Sequence, residues 1–330
     1  MSELRYNIVS RDWVVIAADR AKRPDSFKRP KEERAIPEYS ETCPFCPGKE
    51  GDRHDETYRL GDKNAWKVRA IFNKYPAFSP DQKEERKITG IHNSVTGYGR
   101  HEVIVENPVH NRIIALATDG EVENIVRTYK ERYDKLSPMK GIEAITIFKN
   151  HGPGAGCSQE HPHSQLVATP ITPPQTRIRM EQAAGFFDVT GKCVFCRMME
   201  DELGAKERMV LETENFIAFS PYASPAPFIT WLFPKRHAAS FDGINEEEIR
   251  DLARALRTVL RKLYLGLGNP DFNYCLRSVP VNEKNVEYFH WGITIVPRIA
   301  QPAGFELGSG IFINSSLPEQ CAKFLRDVQV

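Results

Sequence analysis

Three things are missing from this 330-residue sequence, and each absence removes a class of function. No apolar run approaches the length of a bilayer span, which takes about 20 predominantly apolar residues in a row, so a membrane partner is not expected. Net charge is missing too. Lys and Arg number 45 against 44 Asp and Glu, a formal charge of +1. A bulk positive field is what draws proteins to nucleic acid and anionic membranes, and without one neither is an expected partner. The third absence is a disulfide framework: seven cysteines is an odd number. The opening residues Met1-Ser-Glu-Leu-Arg-Tyr6 lack the basic-then-apolar pattern of a secretory signal, so the expectation is a cytoplasmic protein whose thiolates serve as ligands.

What is present is an ordinary globular composition, 27% charged and 41% hydrophobic, with length enough for two domains or one duplicated unit. Residues 5–16 read as a strand or hairpin, and the Pro- and Lys-rich stretch 25–41 as loop. Trp66–Phe72 and His101–Glu106 alternate as strands do. From Val122, the apolar positions Ile125, Val126, Tyr129, Tyr133 and Leu136 fall at helical spacing. Strand Ala144–Phe148, a Gly-rich loop from Gly152 to Gly156 and strand Ser164–Ala168 follow. The second half replays the order with strands at Phe216–Phe219 and Phe228–Phe233, a helix from Glu246 to Tyr264, and strands at Phe272–Leu276 and His290–Val296. The pattern predicts a degenerate internal duplication.

Cysteine and histidine spacing sharpens that prediction. Cys43-Pro-Phe-Cys46 and Cys193-Val-Phe-Cys196 open the two halves. Each half then carries one histidine after its pre-helix strand, His110 or His237, and another at its last strand, His161 or His290. Each half thereby supplies a Cys2His2 set, the ligand chemistry of a closed tetrahedral zinc site. Thioredoxin-type redox chemistry is disfavoured, because neither Cys pair reads as opening a helix after a strand. A nucleic-acid zinc finger is disfavoured by the long ligand separations.

A second constellation, His161-Pro-His163-Ser-Gln165, lies just after the loop Asn150-His-Gly-Pro-Gly-Ala-Gly-Cys-Ser158. In an extended segment, residues 161, 163 and 165 share one face, so a metal-bound His161 would anchor the strand that presents His163 and Gln165. Glycines in the loop allow backbone N–H groups to approach an anion, and the amides near Gly156, Cys157 and Ser158 are candidates to cradle phosphate. Aligning His290 with His161 sets Gly292 opposite His163 and Thr294 opposite Gln165. The second half keeps its ligand and lacks the nucleophile, so chemistry belongs to the first.

The motifs Arg20-Ala-Lys-Arg23-Pro24, Cys43-Pro-Phe-Cys46, Phe72-Asn73, Asn107-Pro-Val-His110, Gly156-Cys-Ser158, His161-Pro-His163-Ser-Gln165 and Gly304-Phe-Glu306 resemble those of the galactose-1-phosphate uridylyltransferase family, of the histidine-triad superfamily. The resemblance spans essentially the whole chain. It implies an α+β fold, a duplicated histidine-triad-like unit with antiparallel sheet and packed helices in each half, divided as a catalytic half 1–175 and a degenerate half 176–330. It further implies a homodimer and ping-pong transfer of a nucleoside monophosphate between nucleotide sugars and sugar 1-phosphates through a covalent His163. Cys43, Cys46, His110 and His161 would hold one zinc ion, and Cys193, Cys196, His237 and His290 a second, with iron possible at one site. Arg20 and Arg23 would neutralise phosphates, Asn73 and Asn150 line the nucleotide site, Gln165 donate to a phosphoryl oxygen, and Glu306 lie at the acceptor side. Hydrolytic members of the superfamily carry histidine where Gln165 stands, which favours transfer here. Lys74, where the family has an acidic residue, and the run Leu-Gly-Ser-Gly-Ile-Phe-Ile-Asn314 after Glu306 depart from the uridylyltransferase pattern. The latter, like the second Cys2His2 set, resembles an ADP-glucose phosphorylase of the same family, which passes an adenylyl group to inorganic phosphate. A non-enzymatic zinc-stabilised nucleotide-binding protein is the remote third reading, against which His163 and Gln165 count.

Overall fold

The computed structural model describes residues 2–17, 24–28, 36–49 and 56–330. Its first strands, β1 (Glu3–Tyr6) and β2 (Trp13–Ile16), form the expected hairpin. Then come β3 (Glu56–Asp62), β4 (Ala65–Phe72), the small hairpin β5 (Arg86–Thr89) and β6 (His92–Val95), β7 (Arg100–Val105), α1 (Asp119–Leu136), β8 (Ala144–His151) and β9 (His163–Thr169). Two helices, α2 (Pro174–Thr190) and α3 (Val194–Ala205), lead into β10 (Met209–Glu212), β11 (Phe216–Phe219), β12 (Thr230–Pro234), α4 (Glu246–Leu267), β13 (Phe272–Arg277) and β14 (Gly292–Pro297). The chain ends in α5 (Gly304–Ser309), β15 (Phe312–Asn314) and α6 (Pro318–Asp327).

The two long helices follow directly from local sequence. Thr118 and Glu121 close a reciprocal capping box at the start of α1, and Asn245 and Glu248 do the same for α4, satisfying backbone donors that would otherwise be orphaned. Gly268, at φ 73°, ends α4 in the left-handed conformation that glycine adopts without strain. The apolar stripes of both helices then pack on one face of the sheet.

That sheet, among the described residues, has ten antiparallel strands in the order β10-β11-β12-β14-β13-β8-β9-β7-β4-β3. Reading outward from the central β8/β13 pair, the order β8-β9-β7-β4-β3 on one side answers β13-β14-β12-β11-β10 on the other. The duplication is therefore built into the topology, and the two copies share one continuous sheet. Ile147, Leu166, Ala168, Ile104 and Ala70 of the first copy and Tyr274, Leu276, Ile293 and Leu232 of the second point to the face covered by α1 and α4, forming the largest core. On the opposite face, α2 and α3 cover the second copy through Met180, Ala183, Phe195 and Met199 packed on Phe219, Trp231 and Phe233. Among the described residues, no helix covers the first copy there. Its face carries a small cluster of Cys43, Phe45, Cys46, Trp66, Ile71, Val103 and Val105.

Cys193 is the N-cap residue of α3, but that helix follows α2 and not a strand, as the sequence pattern led one to expect. One expectation needs correction. The strand expected from Phe228 begins at Thr230, because Phe228 takes φ 62° and turns the chain before the ladder starts.

Candidate active site and metal centres

Both Cys2His2 sets converge. In each, four ligand atoms lie within 4.8 Å of one another. In the first, Cys43 Sγ lies 3.6 Å from His161 Nδ1, and Cys46 Sγ lies 3.4 Å from His110 Nδ1 and 3.7 Å from His161 Nδ1. In the second, Cys196 Sγ is 3.2 Å from His237 Nδ1 and 3.6 Å from His290 Nδ1. Bond lengths of about 2.3 Å to sulfur and about 2.0 Å to nitrogen give a tetrahedral S···N edge of roughly 3.5 Å, so the donor sets fit an ion of that size. The histidine tautomers fit as well. His161 Nε2–H donates to the Asn107 carbonyl at 2.7 Å and His290 Nε2–H to the Pro234 carbonyl at 2.9 Å, leaving each Nδ1 lone pair to face the thiols. Backbone N–H groups of Ser40 and Phe45 point at Cys46 and Cys43 Sγ, both at 3.4 Å, as suits thiolate sulfur.

His163 begins β9 two residues beyond His161, on the face away from α1 and α4. Its Nδ1–H donates to the His161 carbonyl at 2.9 Å, which leaves the Nε2 lone pair without a partner among the described residues. Phe45, from within the Cys43–Cys46 turn, packs edge-on against the ring at 5.6 Å between centroids. Burial holds the imidazole below its ordinary pKa, against the opposing pull of that hydrogen bond, and so favours the neutral ring. A neutral, oriented, unencumbered nitrogen is what a nucleophilic histidine requires.

Gln165 shares this face, opposite Val103 of β7 and Phe148 of β8. Its Oε1 lies 2.8 Å from Nε2 of His101, a residue the sequence pattern identified only as part of a strand. His101 is in turn 3.1 Å from Asn73 Nδ2, so Asn73 does reach the site, through His101. Asn150 lies on the same face and accepts from Asn273 Nδ2 at 2.8 Å.

Other expected residues sit differently. The amides of Gly156 and Cys157 donate within their own loop, to the Pro153 and Gly152 carbonyls at 3.0 and 3.2 Å. Gly154 N–H donates to Asp271 Oδ2 at 2.6 Å, and a Cβ on Gly152, at φ 80°, would lie 2.0 Å from Asp271 Oδ1. The loop thus wraps a carboxylate of the chain itself, and of the expected phosphate donors only Ser158, exposed and bonded to nothing in the described protein, remains free. Glu306 accepts from Ala303 N–H at 2.9 Å at the start of α5 and makes no bond to the His163 face. Arg20 and Arg23 lie outside the described residues.

Beneath β9, on the α1/α4 side, is a buried polar network that the sequence did not reveal. Lys149 Nζ pairs with Glu106 Oε2 at 2.6 Å and donates to the His163 carbonyl at 3.1 Å. Ser164 donates to the other Glu106 oxygen, and the phenols of Tyr129 and Tyr274 meet at Ser164. The second copy offers a contrast. Where His163 would stand is Gly292, and a Cβ there would fall 2.4 Å from the Phe233 ring. That volume is filled, and the hydroxyl of Thr294, the Gln165 counterpart, faces Arg277 Nε at 3.4 Å.

Comparisons with known proteins agree with this geometry. Residues 1–173 match the N-terminal domain of galactose-1-phosphate uridyl transferase, and residues 179–299 match its C-terminal domain. An ADP-glucose phosphorylase from Arabidopsis thaliana is 34% identical over 99% of this chain and 93% of its own length. A galactose-1-phosphate uridylyltransferase from Thermotoga maritima is 30% identical over 100% of this chain and 99% of its own. The crystal structure of an ADP-glucose phosphorylase from Arabidopsis thaliana with bound ADP-glucose superimposes with a TM-score of 0.85, at 31% identity, covering 100% of this chain and 99% of that one. With a duplicated sheet, two converging Cys2His2 sets and both domain matches, the chain belongs to the galactose-1-phosphate uridylyltransferase family and is a nucleotidyltransferase.

Proposed function

We propose that this protein transfers a nucleoside monophosphate by way of a covalent adduct on His163. The observation that carries the reading is the hydrogen bond from His163 Nδ1 to the His161 carbonyl, 2.9 Å, which leaves Nε2 as the free nucleophile. In the first half-reaction the Nε2 lone pair attacks the α-phosphorus of a nucleotide sugar, an N–P bond forms, and the bond from phosphorus to the bridging oxygen breaks. The sugar 1-phosphate leaves as a stable anion that needs no general acid. In the second, a phosphate oxygen of the acceptor attacks the same phosphorus and the imidazole recovers its lone pair. Nδ1–H keeps its bond to the His161 carbonyl throughout. The Gln165 amide N–H donates to a non-bridging phosphoryl oxygen as charge grows there, and Ser158 stands at the loop end of the site as a second donor.

Zinc fits each Cys2His2 set, two ions per chain, with iron admissible at one. When bound, the first ion ties the Cys43–Cys46 turn to His161 and so supplies rigidity to the start of β9. The thiolate ligands suit a reducing compartment, the cytoplasm, and among the described residues no helix is long and apolar enough to cross a membrane. The active assembly is taken as a homodimer.

Two donors are compatible with this chemistry. UDP-glucose with a hexose 1-phosphate such as galactose 1-phosphate as acceptor is the reading drawn from the family as a whole. ADP-glucose with inorganic phosphate as acceptor is favoured by the 34% identity to the Arabidopsis phosphorylase over nearly the whole of both chains. Intact-mass measurement after separate incubation with UDP-glucose and ADP-glucose distinguishes them, because the adduct is uridylyl in one case and adenylyl in the other. His163→Ala is expected to form neither while folding normally. An adduct on that variant, or on any other residue of the wild type, refutes the assignment.

A further inference from the structure

A carboxamide is a two-faced catalyst. Its NH2 end stabilises phosphoryl oxygens, and its oxygen end repels them, so an active-site glutamine works only if something breaks the symmetry between the two. Gln165 is long enough to rotate either end toward the substrate. Its Oε1 lies 2.8 Å from His101 Nε2, while its own Nε2 has no partner among the described residues.

His101 carries the same ambiguity in its tautomer, and the backbone resolves it. Ala77 N–H donates to His101 Nδ1 at 3.2 Å. With Nδ1 accepting, the proton of the neutral ring sits on Nε2, and that Nε2–H donates to Gln165 Oε1. Asn73 Nδ2 is also close to His101 Nε2, at 3.1 Å, but Asn73 Oδ1 accepts Tyr75 N–H at 2.9 Å and so keeps its NH2 end toward the ring. A neutral ring accepts at one nitrogen only, and the Nε2–H tautomer satisfies two of the three contacts, Ala77 N–H to Nδ1 and Nε2–H to Gln165 Oε1, where the alternative would satisfy Asn73 alone. The sheet register makes the reach possible. His101 stands opposite Val167 and Val103 opposite Gln165, so His101 and Gln165 are diagonal neighbours on one face of β7 and β9.

We infer that His101 is a positioning residue whose Nε2–H fixes the Gln165 carboxamide with its NH2 end toward the reacting phosphoryl group. This rests on the proposed role of Gln165 and extends it. It also ties the chemistry to the segment from Asn73 to Ala77, since the backbone amide that sets the His101 tautomer belongs to the stretch that carries Asn73 of the nucleotide site.

The test compares wild type with His101→Leu, His101→Gln, Gln165→Ala and the double variant His101→Leu/Gln165→Ala. It follows single-turnover formation of the His163 adduct at several donor concentrations. His101→Leu should slow adduct formation about 10- to 100-fold, less than or equal to the effect of removing the Gln165 donor altogether. Donor affinity should change by less than about threefold, a rate effect without a binding effect. His101→Gln, which can still donate to Oε1, should recover most of the rate, and this rescue also guards against a folding defect in the leucine variant. In the double variant the loss should equal that of Gln165→Ala alone, because no amide remains to be oriented. Additive losses, failure of glutamine to rescue, or an unimpaired His101→Leu beside a slow Gln165→Ala overturns the inference while leaving the role of Gln165 in place. Gln165→Ala at the wild-type rate overturns both.

Discussion

Lys149 and Glu106 form an ion pair of 2.6 Å with both side chains almost wholly removed from solvent, and the same ammonium holds the backbone carbonyl of His163 at 3.1 Å. His163, the proposed nucleophile, is thus secured from two sides: through its ring hydrogen bond to the His161 carbonyl, and from below through its main chain. A buried pair of this kind is weak evidence for net stability, because desolvating two charges offsets much of their attraction. Its removal by halves is another matter.

Lys149→Met leaves Glu106 buried beside Ser164, Tyr129 and Tyr274 with no cation. We expect a loss of about 3–5 kcal/mol in unfolding free energy, and a much smaller loss for Lys149→Met combined with Glu106→Gln. Urea unfolding of the two variants measures both. Equal losses would mean that burying Glu106 without its partner carries no penalty.

A second ionic cluster joins the chain ends to the second copy. Glu319 of α6 accepts from Arg5 of β1 at 2.8 Å and from Arg208, just before β10, at 2.9 Å. Burial raises the Glu319 carboxyl, but the two guanidiniums outweigh it and hold the pKa below the usual carboxylate range. A folded pKa below the unfolded value stabilises the protein above the unfolded pKa, and that contribution disappears as pH falls through the folded one. Glu319→Gln should therefore lower stability at pH 7 by about 1–3 kcal/mol, and the gap to wild type should close in acid. A gap that stays constant from pH 7 to pH 3 would show that the carboxylate charge contributes nothing.

Much of this architecture is legible in the sequence. Helices α1 and α4 announce themselves because capping boxes and one-sided apolar stripes agree. The two Cys2His2 sets do so because metal chemistry admits few residue types, and their order repeats. What stayed hidden has physical reasons too. The strand β3, Glu-Thr-Tyr-Arg-Leu-Gly-Asp, sits at the sheet edge and pairs its charges, Arg59 with Glu56, so it reads as a charged loop. Helix α2 has no side-chain N-cap bond, and few of its residues are buried. The Lys149–Glu106 pair joins residues 43 apart, and the His101–Gln165 bond joins residues 64 apart. Period and spacing assign a residue to a face, but only the strand register says which neighbour it meets there. The Gly-rich loop is instructive in the same way: the Gly154 amide meets an anion supplied by the chain itself, Asp271, a partner that loop composition does not announce.

The two metal centres should separate in their consequences. Elemental analysis of carefully prepared protein should give two zinc ions per chain. Cys193→Ser should remove one and lower the melting temperature while leaving adduct formation within about threefold of wild type, since Gly292 and Phe233 leave no room for chemistry in that copy. Cys46→Ser should remove the other and abolish the adduct as well, because His161 would lose its anchor two residues from the proposed nucleophile, His163. If the two variants impair adduct formation equally, the second centre is not merely structural.

In the proposed mechanism Gln165 sets the choice between transfer and hydrolysis, which its variants test. Gln165→Ala removes the proposed donor to the phosphoryl oxygens and should raise the barrier to adduct formation by about 2–4 kcal/mol, with far less change in donor affinity. Gln165→His installs the side chain that hydrolytic members of the superfamily carry, a group able to pass a proton, which glutamine cannot do. Water should then compete for the nucleotidyl-histidine, so that the adduct decays measurably faster without acceptor than in wild type. Following adduct formation and decay in a single turnover for the three proteins resolves both steps. A Gln165→His adduct as long-lived as the wild-type one would place the barrier to water elsewhere, in the shape of the site around His163 and not in the chemistry of residue 165.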